Sequence, residues 1–215
     1  MLTQYSTLGV MSIIFDFDGT IADSFDVIAS IIARLTGRSK QFNEENIDHL
    51  RQQPILTVAR QLGIRPWKIP WLLVRGRMIM SRHINEIGLH EGMGKAIEQL
   101  HAEGHELFIV STNSTKNVNK FLKIHRMKSH FVQVKGGVGI FGKARALKKL
   151  VKRNSLDPKD TWYVGDEARD IEAAKAAGLK CLSVGWGFTN PDTLREFRPT
   201  ALAEKSEEII QIINQ

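Results

Sequence analysis

Apolar runs of four or five residues alternate with amphipathic segments along most of the chain, and the two periods predict strands and helices in turn. The first run, Ser12-Ile13-Ile14-Phe15, is β-branched and aromatic and reads as a buried strand. From Gly92 onward the alternation is regular. Helices are predicted at 95–103, 117–125, 143–153, 171–177 and 207–213, with Gly104 and Gly178 as stops. Strands at 106–110, 131–134, 161–164 and 181–184, with a last short one at 201–202, fall between them. Such alternation implies an α/β fold, a Rossmann-like parallel sheet with helices on both faces. Residues 25–87 break the pattern, because no strand signal interrupts them. A helix at 26–35 ended by Gly37, one opening at Asn43, one from Pro54 to Leu62 stopped by Gly63, and a long apolar segment after Pro66 and Pro70 predict an inserted all-α block. The expected division is a leader at 1–11, an α/β core at 12–22 and 88–215, and a helical domain at 23–87.

The first strand runs into Asp16-Phe17-Asp18-Gly19-Thr20. Residues two apart in an extended chain point the same way, so both carboxylates can converge on one small volume. They repel unless a cation or a shared proton relieves them. A plain Asp-Gly turn fits these few residues equally well. Other polar residues fall at the same edge of the predicted sheet, where open parallel sheets bind ligands. Ser111, Thr112 and Asn113 follow a strand and precede a helix, where free N–H groups and hydroxyls can hold phosphate oxygens or simply cap the helix. Gly165 and Asp166 end a further strand, with Asp170 one helical turn on. Asp166 is placed there either as an N-capping residue or as a second set of hard oxygen ligands facing Asp16 and Asp18. Oxygen-only ligation suits Mg²⁺, and no histidine or thiol cluster competes for a softer metal. Lys143 stands at a predicted helix start, where the dipole disfavours a cation, which suggests a role in neutralising phosphate or carboxylate charge.

Bulk properties narrow the setting. The chain has 215 residues, 42% apolar and 25% charged, which is ordinary for a globular protein. Cys181 is the only cysteine, so no intrachain disulfide can form, and a cytoplasmic location is expected. Residues 1–10 lack the basic start and apolar block of a secretory signal, and Met11 is a second candidate start. No apolar stretch reaches the length of a membrane span. The segment containing Trp67, Trp71 and several leucines among Lys68, Arg75, Arg77 and Arg82 fits a membrane-surface helix, but base rates favour a helix packed on its neighbours. No membrane association is therefore expected. Net charge is +7, and residues 107–156 hold twelve Lys or Arg and no acid. Solvated helix faces around an anion site explain this better than a nucleic-acid surface, since no aromatic stacking pattern is interleaved.

Taken together, Asp16-Phe17-Asp18-Gly19-Thr20, Ser111-Thr112-Asn113-Ser114, Lys143 and Gly165-Asp166-Glu167-Ala168-Arg169-Asp170 resemble the four ordered motifs of the haloacid dehalogenase-like (HAD) hydrolases. The chain looks most like the phosphoglycolate-phosphatase-like branch, whose helical cap follows the first motif. Glu91 departs from that branch, which often has a proline there. The resemblance implies a Mg²⁺-dependent phosphatase acting on a small-molecule phosphate monoester, phosphoglycolate-like or a sugar phosphate. Asp16 would be the nucleophile, Asp18 the general acid and base, and Lys143 and Ser111 the stabilisers of the transferring group. Thr112 and Asn113 would help hold phosphate. Asp16, the Asp18 main-chain carbonyl and Asp166 would bind Mg²⁺, with Gly19, Thr20, Gly165 and Asp170 in support. The carboxylate at Asp18 favours a phosphate ester over hydrolysis at carbon. A sugar phosphomutase of the same design is the alternative within the family, and a polyanion-binding protein using residues 107–156 is the alternative outside it. The sequence leaves monomer and homodimer open. Arg51, Arg75, Arg77 and Arg82 are cap cations available to a substrate carboxylate, although solvated surface positions account better for most of them.

Overall fold

The computed structural model describes residues 9–37, 60 and 63–215. The helix signals at Asn43 and at 54–62 lie outside the described residues but for residue 60, which is helical, and so does Arg51. Six strands form one sheet: β1 (Ser12–Phe15), β4 (Glu106–Val110), β5 (Phe131–Lys135), β6 (Thr161–Gly165), β7 (Lys180–Val184) and β8 (Ala201–Ala203). Their order is β5-β4-β1-β6-β7-β8, and every neighbouring pair is parallel. β1 is therefore central and buried on both faces, as its unbroken apolar run requires.

Alternation along β1 sends Ile13 and Phe15 to one layer and Ile14 to the other. On the first face pack α3 (Met93–Ala102), α4 (Thr115–Ile124) and α8 (Ser206–Ile213), through residues such as Ile97, Phe121 and Ile209. On the second lie α5 (Lys143–Arg153), α6 (Ala168–Ala177) and the short α7 (Pro191–Glu196), through Leu147, Ile171 and Leu194. Cys181 is buried in this second layer, where desolvation pushes its thiol up to about 12, so it is no nucleophile.

Between β1 and α3 the described helices are α1 (Phe25–Thr36), closed by Gly37 at φ +69°, and α2 (Ile69–His83). They pack on each other, and Ile31 and Met80 join the first core layer. A two-residue ribbon frames this insertion: β2 (Ala22–Asp23) pairs antiparallel with β3 (Gly88–Leu89). Helix α4 starts two residues before the predicted 117, because Ser114 caps it by accepting the Asn117 N–H at 3.1 Å. Met11 is tied to the core: its N–H donates to His105 Nδ1 at 3.1 Å and its carbonyl accepts from Glu106.

Candidate active site

The register of β1 with β4 and β6 sets Phe15 opposite Ile109 and Val164, so the chain leaves all three strands at one edge. Asp16, Ser111 and Asp166 lie just past those ends, and all three are buried. Lys143, the first residue of α5, reaches across to this edge from the second face. Its Nζ donates to Asp16 Oδ2 at 2.6 Å and to Asp170 Oδ1 at 2.5 Å. These two partners answer the dipole objection to a cation there. Lys143 is almost wholly buried, yet they hold its ammonium protonated, raising its pKa against the opposing effect of burial. Asp170 also accepts from Tyr163 O–H at 3.2 Å and, through Oδ2, from the Glu167 N–H at 3.1 Å.

That last bond removes one of the two readings of Asp166, the helix cap. The N-cap of α6 is Glu167, which forms a reciprocal capping box with Asp170. Asp166 lies one residue outside the helix with both oxygens taken: Oδ1 accepts from Thr20 Oγ1 at 2.7 Å and Oδ2 from Phe188 N–H at 2.8 Å. Two glycines let the chain close around it. Gly19 has φ +79°, and a Cβ there would overlap Asp166 Oδ2; a Cβ on Gly187 would overlap the Asp166 side chain. Gly165 does the same for Asp170, whose Oδ2 would lie 2.6 Å from an added Cβ.

Asp16, Asp166 and Asp170 each offer a carboxylate oxygen within 4.8 Å of the others, forming a buried group able to hold a metal ion. The electrostatics agree. Burial pushes the Asp16 carboxyl up to about 7, with Lys143 acting against it and Asp170 with it. Burial also raises Asp166 well above its ordinary range, reinforced by Glu167, Asp170 and Asp16. A cation bound among them would favour the ionised forms of Asp16 and Asp166.

Asp18 points away from this cluster. Its Oδ1 accepts from Ser24 Oγ at 3.0 Å, and Asn113 Nδ2 donates to both of its oxygens at 3.2 and 3.1 Å. Burial raises its carboxyl to about 6, and those hydrogen bonds oppose the rise. Ser111 Oγ accepts the Asn113 N–H at 2.9 Å, which leaves its own O–H to donate. Asp18, Thr112 and Asn113 line the floor of a cavity of about 180 Å³ between the sheet edge and helices α1 and α2. Its walls are largely aliphatic, among them Ile28, Ile31, Leu72 and Leu73.

A family model for haloacid dehalogenase-like hydrolases matches residues 13–184. The chain belongs to this family. It is similar to a phosphoglycolate phosphatase of Synechococcus elongatus, at 34% identity over 211 residues covering 96% of this chain and 98% of the other. It is also similar to the pyrophosphatase PpaX of Bacillus velezensis, 26% identical over 209 residues, 94% of this chain and 96% of that protein. Among solved structures, a haloacid dehalogenase-like family hydrolase from Streptococcus pneumoniae superposes with a TM-score of 0.74 at 20% identity, covering 94% of this chain and 98% of the other, a likeness of fold.

The HAD-like site also contains residues that the sequence reading missed. Ser24 holds Asp18 from the start of α1, and the Phe188 N–H anchors Asp166. Arg169 lines the cavity and pairs with Glu167, its Nε at 2.7 Å from Oε2. The three cap arginines among the described residues separate: Arg77 lines the cavity, while Arg75 and Arg82 are exposed on the outer side of α2. Arg77 is anchored, its Nε donating to Thr112 O at 2.7 Å and its Nη2 to Val138 O at 3.1 Å.

Proposed function

We propose that this HAD-like hydrolase is a Mg²⁺-dependent phosphatase that cleaves a small-molecule phosphate monoester through an aspartyl-phosphate on Asp16. The observation that carries this is the division of labour between the two carboxylates: Asp16 is tied to Lys143, whereas Asp18 faces the cavity with a carboxyl near 6. A group titrating there can give a proton and take it back at neutral pH.

An Asp16 oxygen attacks phosphorus as the P–O bond to the leaving alkoxide breaks, and Asp18 gives its proton to that alkoxide. Asp18, now a carboxylate, then takes a proton from the water that attacks phosphorus. The acyl–phosphate P–O bond breaks, inorganic phosphate leaves, and both side chains return to their starting state. Lys143 and the Ser111 O–H stabilise charge on the transferring phosphoryl group. The oxygen-only donor set fits Mg²⁺: Asp16, Asp166 and the Asp18 carbonyl would hold it, Asp170 would steady Lys143, and the ion would neutralise the transferring group. Residues 23–87 would act as the cap over the cavity, hinged at the β2–β3 ribbon. A cytoplasmic location belongs to the same proposal.

The raised carboxyls give a test that is independent of turnover. Asp16 and Asp18 titrate near 3.8 when unfolded and near 7 and 6 when folded. The folded state therefore binds more protons between those values, and metal-free stability falls as pH rises from about 4 to 7. Mg²⁺ held by Asp16 favours its ionised form, so the gain in Tm on adding it to the metal-free protein should grow over that same interval. A gain that is flat with pH, or no gain, would remove Asp16 as its ligand.

A phosphate-release screen over p-nitrophenyl phosphate, 2-phosphoglycolate, sugar phosphates, nucleotides and pyrophosphate tests the reading directly. Release of inorganic phosphate, rather than an isomerised sugar phosphate, separates it from a phosphomutase. Arg77 is the cap cation placed to meet a substrate carboxylate, so Arg77→Leu is expected to raise KM for 2-phosphoglycolate about tenfold while changing that for p-nitrophenyl phosphate little. Equal effects on both substrates would assign Arg77 to closure alone.

A further inference from the structure

Two stretches of the sequence, 49–85 and 107–156, contain no Asp or Glu, and together they carry nineteen of the thirty Lys and Arg. The site uses Lys143 and Arg77, which leaves most of this charge without a role. The fold brings the two stretches together where Arg77 of α2 holds the Thr112 and Val138 carbonyls. Helix α2 is apolar on two sides. Leu72, Leu73 and Met80 face the cavity, while Trp71, Val74 and Met78 are 51%, 54% and 59% exposed on the other side. Trp67, 68% exposed and four residues before Trp71, extends that row. Half of the large apolar side chains exposed among the described residues lie in it. The exposed cations Arg65, Lys68, Arg75 and Arg82 flank the row, with Arg65 5.2 Å from the Trp67 ring centroid and Arg75 5.8 Å from that of Trp71.

We propose that this outward face of α2 docks on an anionic lipid surface. A second copy of the chain fits poorly, because a two-fold contact would set these arginines and lysines against one another without a single carboxylate. A nucleic acid would satisfy the cations but would press Val74, Met78 and the indoles against phosphates. The headgroup region of an anionic bilayer takes both kinds of group: indoles and aliphatics enter at the acyl boundary, and the cations stay among the phosphates. Among the described residues no helix is long and apolar enough to cross a membrane, so the association is peripheral. Helix α2 packs on its neighbours through its inner side, as expected, and the exposed row is the apolar surface that this packing leaves uncovered.

Flotation of the full chain with vesicles tests the proposal. The protein should float with vesicles of phosphatidylcholine and phosphatidylglycerol but not with phosphatidylcholine alone, and its tryptophan emission should shift to the blue. Trp67→Ser with Trp71→Ser should weaken binding about tenfold. Arg75→Gln and Arg82→Gln should each weaken it about fivefold. Hydrolysis of p-nitrophenyl phosphate should be unchanged in every variant. Absence of flotation would overturn the proposal. So would binding that survives loss of both tryptophans and is matched by single-stranded RNA, which would mark a surface reading charge alone. A dimer in sedimentation that the same substitutions abolish, without flotation, would also overturn it, by assigning the row to self-association.

Discussion

Asp16→Asn is expected to reduce phosphate release by about 10³-fold or more while leaving the protein folded. The amide matches the carboxylate in shape but cannot form the acyl phosphate. Folding should survive because burial already disfavours this charge, raising its carboxyl to about 7, and because Lys143 keeps Asp170 as a partner. Initial-rate phosphate release and a thermal melt on the same preparation check both parts. Activity persisting in a folded Asp16→Asn protein would remove it as the nucleophile.

Lys143→Met is expected to damage stability and activity together. Its Nζ is the cation within 2.6 Å of both Asp16 and Asp170, and all three side chains are buried. Removing one member of a buried ion pair costs about 3–5 kcal/mol, because the remaining charge is left unpaired in a dry site. Denaturant unfolding without metal should show a loss of that order. With Mg²⁺ present the loss should shrink, and the rate deficit should persist. A variant as stable as the parent in metal-free buffer would show that the carboxylates are relieved some other way.

How much of this could be read in the sequence depends on the range of the interaction involved. The six sheet strands carry their own signal, since a buried parallel strand is a short apolar run. The β2–β3 ribbon does not, because Ala22-Asp23 and Gly88-Leu89 are too short for periodicity to show. Lys143 was conspicuous because a cation at a helix start breaks a local rule, and the two carboxylates that justify it come from 127 residues before and 27 after. The same limit leaves the α6 cap open in the sequence. Asp166 and Glu167 are adjacent acids, either able to cap, and contacts from Thr20 and Phe188 decide between them. Helix α2 was ambiguous for another reason. With apolar residues on both faces, its pattern does not fix which side turns inward, so Arg77 could not be told from Arg75 and Arg82.

The central claim is that phosphorus is bonded to Asp16 during turnover. Acid quench of the enzyme in the first turnover with ³²P-labelled substrate, followed by peptide mapping with fragmentation that separates Asp16 from Asp18, tests this most directly. The account predicts an acid-stable, base-labile label on Asp16 that is absent from Asp16→Asn. A label on Asp18, or phosphate release with no labelled protein at any time, would contradict it.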